Sequence, residues 1–186
     1  MKNEGLEGTP KVVVQLLIVV VLIPLLPLLI TWRWNWWEAW AYALTTIIGF
    51  VGSRWLANRR HPDLLAERAR SIDRDDAEPW DRVLAPLVAL GGGLIPLIAG
   101  VEALWTPGSV YSPGVKAVAL LALVSAYLLG TYALLENRFF SGTVRIQTDR
   151  GHQVIATGPY GWMRHPGYAS SLLAFLAVPF LLDGRW

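Results

Sequence analysis

The stretch that decides the fold is Ala117–Leu135, AVALLALVSAYLLGTYALL, which runs for 19 residues without a charged side chain. Four further stretches also lack charge. They are Val12–Thr31, Ala39–Ser53, Val83–Val101 and Gly167–Leu182. A helix needs about 20 mostly apolar residues to cross a bilayer. The pattern therefore predicts an all-α polytopic membrane protein with five transmembrane helices.

The composition of the whole chain supports this fold class. Of the 186 residues, 54% are hydrophobic and only 16% are charged, whereas soluble domains are about 25% charged. The chain has no Cys, which excludes disulfides, a thiolate nucleophile and a Cys-ligated metal. A soluble domain, a disordered chain and a disulfide scaffold are thereby excluded.

The basic residues predict the orientation in the membrane. Thirteen of the 16 Lys and Arg residues lie before the first apolar stretch or in segments 54–82 and 136–166, and only Arg33, Lys116 and Arg185 lie elsewhere. Because short cytoplasmic loops carry the excess of Lys and Arg, the N-terminus and both segments are predicted to be cytoplasmic. This topology accounts for the basic residues, and we expect no nucleic-acid partner.

The tryptophans predict the opposite boundary of the membrane. Trp32, Trp34, Trp36, Trp37 and Trp40 cluster between the first two apolar stretches, and indole rings favour the headgroup layer. Glu38 and Glu102 are expected at the same interface. The end of the chain at Trp186 is predicted to be non-cytoplasmic.

We expect a single integral, multi-pass membrane domain over residues 1–186, in contact with membrane lipids. The predicted spans cover about residues 12–31, 36–55, 83–103, 116–135 and 167–182.

The first cytoplasmic segment, 54–82, carries seven charges of each sign. Within it, His61–Arg68 is typical of a short helix with Pro62 in its first turn. The favoured interpretation is a surface helix, in which Leu64 and Leu65 lie on the membrane or on the next segment.

The second cytoplasmic segment, 136–166, contains two β-prone runs. Thr143–Gln147 and Gln153–Thr157 flank Thr148–Gly151, which has turn chemistry, so a small hairpin is predicted.

An anion site is predicted where this segment meets the last apolar stretch. Pro166 fits the first turn of a helix, and a helix start presents unpaired N–H groups with partial positive charge. Arg164 and His165 add donors there, which suits a carboxylate or phosphate. Tyr160, Trp162 and Tyr168 put aromatic faces nearby. The alternative is that Arg164 and His165 only extend toward water at a helix end.

Two motifs in this segment resemble a known family. His152–Tyr160, HQVIATGPY, followed by Arg164–Tyr168, RHPGY, resembles the isoprenylcysteine carboxyl methyltransferases and, in part, the related phospholipid N-methyltransferases. Pro62–Arg68, PDLLAER, is more weakly similar to a cytoplasmic segment of bacterial relatives. The strong resemblance covers about residues 136–182.

The resemblance implies a membrane-embedded methyltransferase that uses S-adenosylmethionine, with a small cytoplasmic cofactor-binding loop between helices 4 and 5. A lipid or isoprenoid substrate enters from the bilayer. Arg164 and His165 are the implied catalytic residues, Arg164 and Tyr168 the implied substrate contacts, and no metal is expected. The implied cofactor-binding residues are His152, Val154, Ile155, Gly158, Tyr160, His165 and Pro166.

The methyl acceptor remains open at this point. An ionised carboxylate, as in isoprenylcysteine or a similar isoprenoid acid, attacks the methyl group without losing a proton. A phospholipid amine needs a base to keep it neutral, for which His165 or His152 is suited. A sterol-type membrane reductase and a non-enzymatic membrane protein are the competing interpretations.

Family members continue after this point through a returning helix to a cytoplasmic Arg-x-x-x-Glu-Glu motif. The sequence ends at Asp183–Trp186 without it. We therefore expect either that the native protein continues with a further helix and tail, or that this chain is a divergent member with a weakened site.

Overall fold

The computed structural model describes residues 17–70, 78–106, 108–142 and 147–185. A π-helical turn, Ile18–Leu22, leads directly into the first α-helix. The α-helices are α1 (Ile23–Thr31), α2 (Trp37–Arg60), α3 (Pro62–Arg70), α4 (Asp81–Trp105), α5 (Pro113–Glu136) and α6 (Pro166–Leu181). Two 3₁₀ turns, Thr148–Arg150 and Gly158–Gly161, lie between α5 and α6.

The ends of the helices follow local sequence signals. Ser112 precedes α5, and its hydroxyl accepts a hydrogen bond from the N–H of Val115 at 3.4 Å, with Pro113 in the first turn. Pro166 occupies the first turn of α6, where its missing N–H removes no helical hydrogen bond. α1 ends at Trp32, which has a φ of 53° in the left-handed region.

A hydrophobic core forms where the long helices meet. Its fully or almost fully buried side chains are Leu28, Ala39, Ala99, Leu123, Leu181 and Leu182. Small residues let helices approach closely. A Cβ on Gly130 of α5 would lie 3.0 Å from the Ser170 hydroxyl of α6, and one on Gly100 of α4 would lie 3.1 Å from the Cα of Pro27.

Every regular element of the described residues is a helix and none is a strand, which confirms the all-α prediction for that part of the chain. Two helices, α4 and α5, are long and apolar enough to cross a membrane. Their outward residues, such as Val118, Leu121 and Leu128 of α5, are exposed and apolar, as lipid contact requires. The shorter helices Ile18–Thr31 and Pro166–Leu181 are also apolar. The count of five spans stays a prediction.

The predicted hairpin between α5 and α6 is wrong as far as the chain is described. Residues 153–157 form no strand, and Thr148–Arg150 is a 3₁₀ turn that ends at Gly151 with a φ of 64°. The turn predicted at Thr148–Gly151 is therefore confirmed, whereas Gln153–Thr157 is not a strand. Residues 143–146 of the first proposed strand lie outside the described residues.

Glu38, which we expect at the membrane interface, has a partner within the bundle that the sequence does not reveal. Glu38 is buried and forms an ion pair with Lys116. Lys116, which the charge pattern placed on the outer side, is only 3% exposed. These two side chains find each other between the starts of α2 and α5, which hydropathy alone does not reveal.

Candidate functional site

The candidate site lies in the connection between α5 and α6, at the ends of these helices that the sequence predicts to be cytoplasmic. α5 ends at Glu136, and the side-chain oxygen of Asn137 accepts a hydrogen bond from the N–H of Phe139 at 2.8 Å. The chain returns to the bundle at Pro166. Three small groups of side chains, around His152, Tyr160 and His165, are built on this connection.

The first group fixes the ring of His152. Gln147 is only 1% exposed, and its side-chain amide donates to the carbonyl of Phe139 at 2.7 Å. The backbone N–H of Gln147 donates to Nδ1 of His152 at 3.1 Å. The His152 ring also packs on the Phe139 ring, with 4.9 Å between their centroids. The implied cofactor residue His152 is thus held by two contacts.

Arg150 connects this group to α3. Its guanidinium donates to Oδ2 of Asp63 at 2.5 Å, to Oε1 of Gln147 at 2.5 Å and to the carbonyl of Arg138 at 3.1 Å. The hydrogen bond from Arg150 holds the pKa of the Asp63 carboxyl below its ordinary value of 3.8. Asp63 is therefore ionised at neutral pH and anchors Arg150.

The next residues are held more loosely. Val154 is 94% exposed, and Ile155 is half-buried. Neither side chain belongs to a buried cluster of the described residues. These two implied cofactor residues therefore offer apolar surface to a ligand.

The second group lies at the end of α5. Gly158 has a φ of 57°, and a Cβ there would lie 3.0 Å from both the Glu136 side chain and the Tyr132 hydroxyl. The Thr157 hydroxyl donates to Oε1 of Glu136 at 2.5 Å. Since only glycine fits this left-handed position without strain and contact, Gly158 lets the chain turn against α5.

Tyr160 follows this turn and points back to α5. Its hydroxyl donates to the carbonyl of Ala133 at 3.4 Å. Burial raises the pKa of the Tyr160 phenol above its ordinary value of 10.0, so the hydroxyl stays protonated at neutral pH.

The third group is the start of α6. Arg164 and His165 are exposed, and the His165 ring stacks on that of Tyr168, with centroids 5.3 Å apart and an interplanar angle of 22°. Pro166 is buried. The first N–H groups of α6 have no helical acceptor, and the exposed Arg164 lies two residues before the helix, so this end of the chain can supply donors to an anion.

Gly167 sets how closely α6 begins beside the loop. A Cβ on Gly167 would lie 2.7 Å from the Phe140 ring. The ring of Phe140 therefore occupies the space that any larger residue at 167 would need. This packing joins the start of α6 to the first residues after α5.

The apolar side chains of α3 were predicted to lie on the membrane or on the next segment, and the structure favours the second placement, since Leu65 and Phe140 pack against the same buried cluster. Leu64 is completely buried and clusters with Ala57 and Leu134. His61 contacts the carbonyl of Leu135 at 2.9 Å. The helix therefore packs on the end of α5, because its apolar side chains find a partner there rather than the membrane surface.

Arg68 extends the contact from α3 to the loop. Its guanidinium donates to the carbonyls of Phe140 at 2.9 Å and Ser141 at 3.0 Å. Burial lowers the pKa of Arg68 to about 10, which leaves it charged at neutral pH. Asp63, Arg68, Gln147 and Arg150 were missed by reasoning from the sequence, although the weak similarity of Pro62–Arg68 was a signal for the first two.

A cavity among the described residues lies at the other end of the bundle. It has a volume of about 90 Å³ and is lined by polar side chains that include Arg33, Glu102 and Lys116. The residues implied for the cofactor instead line the exposed loop. In the described ranges, no three His, Asp or Glu side chains are grouped to hold a metal ion.

A comparison with known protein families gives a match over α5, α6 and the loop between them. Residues 117–186 match the model of the isoprenylcysteine carboxyl methyltransferase (ICMT) family. The match supports membership in this family, and it covers α5, the loop and α6. No curated protein and no solved structure matches the chain significantly. Membership in this family implies methyltransferase activity in general.

Proposed function

We propose that the protein is a membrane-embedded, S-adenosylmethionine-dependent methyltransferase that acts on a lipid-linked carboxylate such as an isoprenylcysteine or a similar isoprenoid acid. The observation that carries the proposal is the family match over residues 117–186. It falls on a helix pair whose loop presents Arg164, His165 and the open start of α6 on one exposed surface.

The residues of this loop suit the cofactor. Its carboxylate requires N–H donors and partial positive charge, which the start of α6 provides. Its adenine ring requires a flat apolar surface, which exposed Trp162 and Tyr168 offer. The proposed cofactor contacts are His152, Val154, Ile155, Gly158, Tyr160, His165 and Pro166.

The proposed reaction requires alignment of the acceptor carboxylate with the methyl group of the cofactor, and it requires no proton transfer. S-adenosylmethionine supplies an electrophilic methyl group when it is bound. Arg164 orients the acceptor carboxylate, which is already ionised and needs no base. Holding two reactants in line is worth several kcal/mol, of order 7–11 for well-oriented groups. His165, stacked on Tyr168, fixes one side of the site.

The substrate side of the proposal concerns the bilayer. α6 carries exposed apolar residues after the site, among them Leu172 and Leu176. An isoprenoid chain that lies along this face places its carboxylate near Arg164. The membrane around α5 and α6 then excludes water from the reacting groups, which strengthens the guiding charges.

Methyl transfer tests the proposal directly. The protein in vesicles is supplied with S-adenosylmethionine labelled in its methyl group and with a prenylated cysteine analogue that has a free carboxylate. We expect labelled methyl ester and a loss of at least about tenfold in Arg164→Ala, because one charged hydrogen bond is worth about 1.5–3 kcal/mol. We also expect a loss in His165→Ala, because the ring stacked on Tyr168 no longer bounds the site. Arg185→Ala is the matched control, since Arg185 is exposed at the other end of α6.

Two results would contradict the proposal. If the label appears only in phospholipid amine, the methyl acceptor is an amine and not a carboxylate. Binding of a nicotinamide cofactor without binding of S-adenosylmethionine would indicate a reductase.

The proposed orientation is testable because the chain has no native Cys. Single cysteines replace Gln153 in the loop and Val110 before α5, both exposed. In intact cells, a membrane-impermeant maleimide is expected to label Val110→Cys and not Gln153→Cys. The reverse pattern would place the loop outside.

A further inference from the structure

A chain of hydrogen bonds runs from α3 to the ring of His152. Asp63 accepts from Arg150, Arg150 donates to the side chain of Gln147, and the backbone N–H of Gln147 donates to Nδ1 of His152. Asp63 and Arg150 are separated by 87 residues in sequence. The chain therefore ties the loop to a helix that lies outside the family match.

This arrangement selects one tautomer of His152. A backbone N–H can only donate, so Nδ1 must accept, and the neutral ring carries its proton on Nε2. The packing of the ring on Phe139 at 4.9 Å fixes the ring plane as well. The exposed His152 is thus presented as a hydrogen-bond donor through Nε2.

Charge explains why this chain of contacts is well ordered. The Arg150 side chain is 13% exposed, and that of Asp63 is 49% exposed. Arg138 also faces Asp63, at 3.7 Å, but its side chain is 53% exposed. Arg150 has an anionic partner and two neutral acceptors, which match the fork of its guanidinium donors. Lys has a single donor nitrogen, whereas Arg150 reaches Gln147 and Asp63 with two different nitrogens of its planar guanidinium.

We propose that Asp63 and Arg150 are positioning residues for the cofactor, which hold His152 in the Nε2-protonated tautomer so that it donates to a polar acceptor of bound S-adenosylmethionine. This inference rests on the proposed function. α3 thereby acts on the cofactor site without a residue of its own in contact with the ligand.

The first test reads the tautomer in the ligand-free protein. The chain has three His residues, and His152→Gln assigns the ring signals of His152 in a ¹⁵N spectrum of labelled protein in detergent. We expect the Nε2-protonated form in the wild type and in Asp63→Glu, and a mixture of tautomers in Asp63→Asn and Arg150→Lys. A wild-type ring protonated on Nδ1, or an unchanged tautomer in both variants, would overturn the inference.

The second test measures the affinity of the protein for S-adenosylmethionine. We expect Asp63→Asn and Arg150→Lys to weaken S-adenosylmethionine binding in proportion to the fall in the Nε2-protonated fraction of His152, by about tenfold where that fraction falls to about one tenth, while kcat at saturating cofactor changes less than about twofold. Glu78→Gln, which alters an exposed carboxylate before α4, is the control and is expected to bind as the wild type does.

The two tests separate the inference from the proposed function. A wild type that binds no S-adenosylmethionine refutes the proposed function. A wild type that binds it, with Asp63→Asn and Arg150→Lys binding equally well, refutes only the inference. If Asp63→Asn does not fold, Arg150→Lys carries the comparison, since it keeps the positive charge.

Discussion

The ammonium group of Lys116 lies 2.6 Å from Oδ2 of Asp183, which joins the start of α5 to the end of α6. Lys116 also donates to Glu38 at the start of α2. The other oxygen of Asp183 accepts from the N–H groups of Val110 at 2.8 Å and Tyr111 at 3.1 Å. One buried cation therefore holds the ends of three helices together, opposite the candidate site.

Loss of this cation is expected to destabilise the bundle. Lys116→Met leaves two carboxylates facing each other in a buried place, and breaking such a pair costs about 3–5 kcal/mol. Thermal unfolding in detergent measures the effect. Lys116→Met combined with Glu38→Gln and Asp183→Asn removes the stranded charges and is expected to recover much of the stability. A single variant as stable as the wild type would contradict this account.

Truncation of Leu64 tests the position of α3. Leu64 is completely buried against Leu134, so Leu64→Ala is expected to lower the free energy of unfolding by about 2–5 kcal/mol. Leu172→Ala changes an exposed leucine of α6 and is the matched control, with a change below about 0.5 kcal/mol. Equal effects of the two variants would contradict the packing of α3 against α5.

Gly167 is expected to tolerate no side chain. The Cβ of Gly167→Ala would lie 2.7 Å from the Phe140 ring, and such overpacking costs about 1–3 kcal/mol. Gly91→Ala in α4 has open space around the added Cβ and is expected to be neutral or stabilising, since Ala favours a helix over Gly. The difference between their unfolding temperatures is the measurement, and a Gly167→Ala variant as stable as Gly91→Ala would contradict the packing.

Alanine variants of two loop glycines distinguish the cost of backbone strain from the cost of steric contact at the added Cβ. Gly158 and Gly151 both have positive φ, 57° and 64°, but only Gly158 has neighbours at the added Cβ. Gly151→Ala is expected to cost about 1 kcal/mol from strain alone, and Gly158→Ala to cost more and also to weaken cofactor binding. Calorimetric titration and thermal unfolding give the two quantities. Similar losses in both variants would show that contact with Glu136 is unimportant.

The depressed pKa of Asp63 predicts a pH dependence with a definite sign. A carboxyl whose folded pKa lies below its ordinary 3.8 contributes stability above that value and loses it as the pH falls through the folded pKa. The stability difference between the wild type and Asp63→Asn is therefore expected to be constant near neutral pH and to shrink in acid. A difference that grows in acid would contradict the role of Arg150. Unfolding measured across pH at constant ionic strength tests this.

The sequence by itself determined the features that depend on local composition. The apolar stretches predicted helices that include α4 (Asp81–Trp105) and α5 (Pro113–Glu136), because a helix that contacts lipid must be apolar along its length. The motif around Arg164–Tyr168 indicated the family that the match over residues 117–186 supports. Pro62 and Pro166 both lie in the first turn of a helix, as expected.

Only the tertiary structure decided which residues meet. Asp63 pairs with Arg150, Lys116 with Glu38 and Asp183, and Leu64 with Leu134. These partners lie far apart in sequence. The sequence does not distinguish a charged residue that is solvated from one that is paired. A buried charge is tolerated only when it has a well-placed partner. These partners come from other parts of the chain, so the pairing depends on how the helices pack and not on local pattern.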